Sequence, residues 1–207
     1  MHHLIFDMDG VLSDSWDDVI EGLIPTGMHG SDREAVLRSH LQYCIHKPKH
    51  ARNSGMTPEE KSKIGQALDQ LSEHLNTAQV PLFSDFIQEL HKIDGVYAVV
   101  SANGGRYVYK QARKIKIQFT HVLAWEDSTS KEDKIEKICK DWGIPVSKAI
   151  YVTDTLADVY ELETIMPREH IIGCAWGYCG YTVLREELPK DQILRNPKDI
   201  HRVLIDM

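Results

Sequence analysis

Short apolar runs, separated from one another by helical stretches, are the feature that most restricts how this chain folds. Leu4-Ile5-Phe6, Val96-Tyr97-Ala98-Val99-Val100, His121 to Trp125, Ala149 to Val152 and Ile171 to Trp176 each have the length of one buried strand. Helical periodicity fills most of the gaps. Phe86, Ile87, Leu90 and Ile93 share a helical face before Asp94-Gly95 turns the chain, and Tyr107 to Ile115 reads as a second helix. Lys131 to Trp142 carries Ile135, Ile138, Cys139 and Trp142 on one side and meets a stop at Gly143, and Val159 to Ile165 reads as the next helix. Strands joined by single helices pair in parallel through right-handed crossovers, with helices covering both faces. The expected fold is therefore α/β, a Rossmann-like parallel sheet sandwiched by helices.

One segment breaks the alternation. From about Ser15 to Ala78 there is no convincing strand, only helical stretches at Trp16–Ile24, Asp32–Ile45 and Pro58–Leu75. The third opens with Thr57-Pro58-Glu59-Glu60, in which Thr57 caps, Pro58 takes the first helical position and Glu60 completes a capping box. A helical block between the first strand and the rest of a sheet reads as an inserted all-helical cap, residues 15–79, on a core of 1–14 and 80–207.

Charge and composition narrow the partners. The formal charge of −7 provides no field for nucleic acid or an anionic membrane, and no apolar stretch is long enough to span a bilayer. Met1-His2-His3 runs directly into Leu4-Ile5-Phe6, which is neither the flank nor the apolar region of a signal peptide. Cys44, Cys139, Cys174 and Cys179 form no Cys-x-x-Cys pair, so a zinc knuckle or redox dithiol is not indicated, and Cys139 falls at an apolar helical position. The expected setting is the reducing cytoplasm.

The chemistry sits where the strands end. Asp7-Met8-Asp9-Gly10 follows the first strand, Ser101 and Asn103 the second, Lys131 opens the helix after the third, and Asp154 and Asp158 follow the fourth. Ligands of open α/β sheets bind at the carboxyl ends of strands. Asp7, Asp9 and Asp154 gathered there repel one another unless a cation joins them, and hard oxygen donors with positions left for water suit Mg²⁺. A carboxylate can attack phosphorus and form an aspartyl phosphate. An acid two residues along can protonate the leaving oxygen and later deprotonate the attacking water. Ser101 can hydrogen-bond a phosphate oxygen, and Lys131 can neutralise charge on the transferred group. Gly10 lets the chain leave the strand for the cap.

These residues resemble the motifs of the haloacid dehalogenase superfamily of phosphatases, in the branch with a small helical cap that includes phosphoglycolate phosphatases and β-phosphoglucomutases. Phe6-Asp7-Met8-Asp9-Gly10-Val11-Leu12 matches the first motif and Val100-Ser101 the second. Lys131, before a helix ending at Gly143, matches the third, and Asp154 with Asp158 the fourth. The match spans residues 1–14 and about 80–180. It implies Asp7 as nucleophile, Asp9 as acid and base, and phosphate binding by Ser101, Asn103 and Lys131. It further implies Mg²⁺ held by Asp7, the Asp9 carbonyl and Asp154, with Asp158 supporting the cluster from behind. Thr153 stands where many relatives have glycine, and Glu132 replaces a common proline; Lys134 competes for the role of Lys131.

The expected activity is hydrolysis of a small phosphorylated metabolite. A sugar-phosphate mutase uses the same motifs and is the nearest alternative; a non-catalytic phospho-aspartate switch is a more distant one, because its acid pair usually precedes the phosphorylated strand. The dense basic segment His46-Lys47-Pro48-Lys49-His50-Ala51-Arg52 is either a solvated loop or a site for a second anionic group on the substrate. Trp16 packs the cap on the core, and Trp176-Gly177-Tyr178 forms a loop beside the site. His40, His74 and His91 show no metal-ligand pattern.

Overall fold

The computed structural model describes residues 1–205. Its sheet consists of β1 (His2–Phe6), β2 (Gly95–Val100), β3 (Phe119–Leu123), β4 (Ile150–Thr153), β5 (Ile171–Cys174) and β6 (Ile193–Leu194), in the spatial order β3-β2-β1-β4-β5-β6. Every neighbouring pair is parallel. β1 lies at the centre, with Phe6 level with Val99 on one side and Val152 on the other. The residues that follow these three strands therefore emerge together at one edge, which is the edge where doubly wound sheets bind ligands.

Residue alternation along each strand divides the core in two. Leu4, Phe6, Tyr97, Val99, Ile150, Val152 and Ile172 pack on one face of the sheet; Ile5, Ala98, Val100, Tyr151 and Ile171 pack on the other. A strand buried on both sides must be apolar throughout, which is why these strands read as unbroken runs. Helices α1 (Trp16–Leu23), α2 (Arg33–Ile45) and α3 (Pro58–Ala78) follow β1 directly, and no strand interrupts them among the described residues. Val19, Ile20, Leu23, Leu68, Leu71 and Leu75 join the first core cluster, and Cys44 joins the second, so these helices pack onto the sheet's own hydrophobic clusters.

The remaining helices are α4 (Ser84–Leu90), α5 (Gly105–Lys114), α6 (Lys131–Trp142), α7 (Leu156–Leu162), α8 (Gly180–Leu184) and α9 (Asp199–Ile205). The capping box of α3 forms as its sequence predicts, with Thr57 Oγ1 accepting from Glu60 N and Glu60 Oε2 accepting from Thr57 N. α6 occupies the expected residues and ends at Gly143 in the left-handed conformation.

Several boundaries differ from the sequence reading: α3 runs on to Ala78, α5 opens at Gly105 and β5 stops at Cys174, and two further shifts bear on the site. β3 lies two residues earlier than expected, because Leu123 pairs with Val100 and the chain then turns, with Trp125 N donating to the Asn103 carbonyl at 3.0 Å. α7 begins at Leu156 rather than Val159: Thr155 caps it by accepting from Asp158 N, which puts Asp158 in the first turn. β6 was not expected; two residues are too short to register as a strand by periodicity.

Candidate active site

Asp7 is the first residue beyond β1, and its N–H donates to the Val152 carbonyl of β4 at 3.0 Å, pinning its backbone between the two strands. Gly10 then turns the chain with φ +73°, and a Cβ there would lie inside the Asp154 carboxylate. Gly177, in the loop after β5, approaches Asp154 and the Gly10 carbonyl just as closely. Glycine on both sides leaves Asp154 room at the sheet edge.

Lys131 links the acids that follow β1 and β4. Its ammonium, 2% exposed as a residue, donates to Asp7 Oδ2 and Asp158 Oδ2 at 2.7 Å each and to Tyr151 Oη at 3.0 Å. Asp158 also accepts from Thr153 Oγ1 at 2.7 Å, so the threonine at the position often taken by glycine fastens Asp158. Lys134 is excluded from this role. Its ammonium is directed to the carbonyls of Ser101 (2.6 Å) and Ala124 (3.1 Å), where it ties α6 to the loops after β2 and β3. The electrostatics separate the two lysines further. Burial opposes the charge of Lys131, but Asp158 and Asp7 outweigh it and hold its pKa well above the usual lysine value. Burial, reinforced by Lys131, lowers Lys134 to about 8.

Asp9 turns away from Asp7. Its carboxylate accepts from Ser15 Oγ (2.7 Å), Tyr107 Oη (3.1 Å) and Asn103 Nδ2 (3.3 Å). Burial raises its pKa, and these three donors restrain the rise. Asn103, expected at the phosphate, is thus engaged with Asp9, while its side-chain oxygen accepts from Gly104 N. Ser101 Oγ accepts from Asn103 N at 3.0 Å, which leaves its proton free to donate. The sequence gives no sign that Ser15, Tyr107 and Tyr151 belong here, whereas Tyr178 lies in the loop expected beside the site. Tyr178 donates its N–H to Asp154 Oδ2 at 2.6 Å, and its hydroxyl lies 2.7 Å from Ser15 Oγ.

Burial disfavours the charge of these acids, and they repel one another. Burial, with Lys131 opposing it, raises Asp7 to about 7, and Asp158 and Asp9 add to the rise. Asp154 is raised well above the carboxylate range, by burial first and by Asp7 second. Its Oδ1 is buried without a hydrogen-bond partner. Among the described residues no three acid, histidine or cysteine side chains form a metal-binding group by themselves. Asp9 explains this, because its carboxylate is committed elsewhere, leaving Asp7 and Asp154 as side-chain donors. Two carboxylates with positions left for water and phosphate are what Mg²⁺ takes. The orphaned Asp154 oxygen fits such an ion.

The family model for haloacid dehalogenase-like hydrolases matches residues 4–161, and the chain belongs to that family. Among solved structures, a hydrolase from Pseudomonas syringae superposes with a TM-score of 0.75 at 16% identity, covering 100% of this chain and 99% of that one. A haloacid dehalogenase-like hydrolase from Streptococcus pneumoniae gives 0.69 at 16%, covering 99% and 98%. CbbY from Rhodobacter sphaeroides, in complex with xylulose-(1,5)-bisphosphate, gives 0.62 at 15%, covering 96% and 95%. At such identities the likeness establishes the fold. No curated protein matches the chain significantly.

Proposed function

We propose that the chain is a Mg²⁺-dependent phosphomonoester hydrolase in which Asp7 takes up the phosphoryl group of a small phosphorylated metabolite. The observation that carries this reading is Lys131 at 2.7 Å from both Asp7 and Asp158, on the sheet edge that also holds Asp9, Ser101 and Asp154. Phosphatase descriptions of structural neighbours point the same way.

Asp7 attacks phosphorus, and the ester P–O bond breaks as the Asp7–phosphorus bond forms. Asp9, whose raised pKa favours a held proton, gives that proton to the leaving oxygen. It then takes a proton from the water that attacks phosphorus, the Asp7–phosphorus bond breaks, and inorganic phosphate leaves with the Asp7 carboxylate restored. Ser101 Oγ–H and the Lys131 ammonium bind phosphoryl oxygens, and Asp158 keeps Lys131 in place. Mg²⁺, held by Asp7, the Asp9 carbonyl and Asp154, would offset the repulsion between an anionic phosphate and an anionic nucleophile. Residues 15–79 act as a cap that screens the site from bulk water, on a core of 1–14 and 80–207.

The four free, buried cysteines suit a reducing cytoplasm, and no helix among the described residues is long and apolar enough to cross a membrane. The test is a panel of phosphorylated metabolites with Mg²⁺, scored for released phosphate. With a hexose phosphate, free phosphate supports hydrolysis; an isomer formed without phosphate loss would replace the hydrolase with a mutase.

A further inference from the structure

The basic segment between α2 and α3 takes no part in the chemistry above. Lys49 pairs with Glu60 on the surface, 3.1 Å away. Its neighbours reach across to the sheet side of the molecule. Arg52 donates its backbone N–H to Glu132 Oε2 at 2.9 Å, and its guanidinium forks onto Glu136 at 2.8 and 2.9 Å and reaches Asp133 at 3.1 Å. His50, 7% exposed, has Nδ1 3.1 Å from Tyr43 Oη and Nε2 3.4 Å from Glu161 Oε2. All four acids belong to α6 or α7.

Two of these acids bear on Lys131. Glu161 is fully buried, and its other oxygen accepts the backbone N–H of Lys131 at 2.7 Å. Glu132, 2% exposed, is the next residue of α6 and also accepts from Ser130 Oγ at 2.7 Å. Buried acids side by side are costly without compensation. Burial, with Glu161 adding to it, raises the pKa of Glu132. Burial also opposes the charge of Glu161, yet His50, Glu132 and Lys131 hold its pKa below the usual carboxylate value, with His50 Nε2 and Glu161 Oε2 facing each other at 3.4 Å and otherwise unpartnered. Part of that compensation comes from the inserted helices rather than from the sheet domain. After Arg52 the chain passes through Asn53 at φ 64° and Gly55 at φ 80°, and with His50 and Ala51 buried the segment forms a strap laid against α6 and α7.

We propose that His50 and Arg52 form a latch: they hold the helical cap shut on the core and, through Glu161 and Glu132, seat Lys131 against Asp7. They are positioning residues, and the second half of the claim rests on the catalytic reading of Asp7 and Lys131. Shutting the cap buries the two acids with their partners in place. Opening it separates the pairs, exposes the acids to water and frees the first turn of α6.

Two thiols lie at this seam and report on it independently of turnover. Cys44 of α2 is buried, and its carbonyl accepts from Cys179 Sγ at 3.6 Å. Cys139, buried in the last turn of α6 and so outside the first turn that the latch would free, serves as an internal reference. His50→Ala, Arg52→Ala and Lys49→Ala are treated with a disulfide thiol reagent, and mass spectrometry locates the label. The first two variants should label Cys44 and Cys179 about tenfold faster than the parent, with Lys49→Ala and Cys139 unchanged. Their kcat for p-nitrophenyl phosphate should fall about tenfold with KM nearly constant, since this small ester needs little from the cap. Unchanged labelling of Cys44 and Cys179, or equal acceleration at Cys139, overturns the latch. Faster seam labelling with unaltered kcat overturns the seating of Lys131. Should Asp7→Asn retain activity while the seam still responds, the catalytic reading fails and the cap latch stands.

Discussion

The two ends of the central sheet are built on opposite terms. At the amino end of β2, a cavity of about 360 Å³ is lined by Leu90, Ile93, Tyr97, Lys116, Ile117 and Thr120. Its polar groups are satisfied locally: Tyr97 Oη donates to the Leu90 carbonyl, and Thr120 Oγ1 donates to the Tyr97 carbonyl. At the carboxyl end, Asp7 and Asp158 are packed away from water around one buried ammonium, and the buried Asp154 retains an unpaired oxygen. A fold does not keep such a cluster for stability, because desolvating carboxylates costs several kcal/mol each in the absence of a counter-charge. Open volume therefore marks one end of this sheet and stored electrostatic strain the other. Function belongs with the strain.

The largest effect should come from Asp7→Asn. The amide keeps the volume and cannot attack phosphorus, so turnover of any phosphomonoester should drop on the order of 10⁴-fold or more. The melting temperature should not fall, since burial raises the Asp7 pKa to about 7 and the amide removes a charge that the buried site disfavours. Stopped phosphate-release assays and a thermal melt measure both. Residual activity within tenfold of the parent would remove the nucleophile from the carboxyl end.

Next in size is the response to metal. EDTA should silence the enzyme and Mg²⁺ restore it. Mg²⁺ should also stabilise the fold by about 2.7 kcal/mol when present at a hundred times its dissociation constant. In Asp154→Asn that thermal shift should vanish, because the oxygen now lacking a partner is the one assigned to the ion. A full shift in the variant would separate the metal from Asp154.

The paired lysines of α6 sharpen the comparison within the carboxyl end itself. Lys131→Met should lower kcat by roughly 10²–10³-fold, as expected for loss of a charge aimed at the transferred group. Lys134→Met should leave kcat within a fewfold but destabilise the protein by about 1–3 kcal/mol, since two buried carbonyls lose their donor. The pH dependence has a definite sign. Lys134 titrates near 8 in the fold and near 10.5 in the unfolded chain, so between those values the unfolded state binds the extra proton. Stability should then rise with pH from about 8 to 10.5 in the parent relative to Lys134→Met. Denaturant titrations across that range check it; a falling difference would mean that the fold stabilises the ammonium.

Much of this was legible in the sequence, for a physical reason. Strands buried on both faces must be apolar end to end, so Leu4–Phe6 and Val96–Val100 stand out, and the polar residues after them can only lie at one edge. The chain pattern alone therefore puts the carboxyl-end residues on one edge. What could not be read was the set of partners that hold them. Ser15 and Tyr178 are 163 residues apart, and Tyr107 and Asp9 are 98 apart, with no local pattern to link them. The basic strap failed for the same reason: a charge run looks solvated until the acids of α6, more than 80 positions away, are folded against it. Lys131 and Lys134 share a helix turn and a residue type, and only their surroundings distinguish them.

The smallest expected effect tests the other end of the sheet. Lys116 lines the amino-end cavity, is exposed, and belongs to none of the hydrogen bonds that fix the catalytic edge. Lys116→Ala should leave kcat and KM within about twofold and stability within about 0.5 kcal/mol, the usual range for a surface change. Steady-state kinetics on the best substrate of the panel, beside a denaturant melt, measure both. A tenfold loss of kcat/KM would correspond to about 1.4 kcal/mol of transition-state binding arising at the wrong edge of the sheet. That result would mean that the cavity communicates with the acids across the length of β2, and the division between an inert end and a reactive one would have to be abandoned.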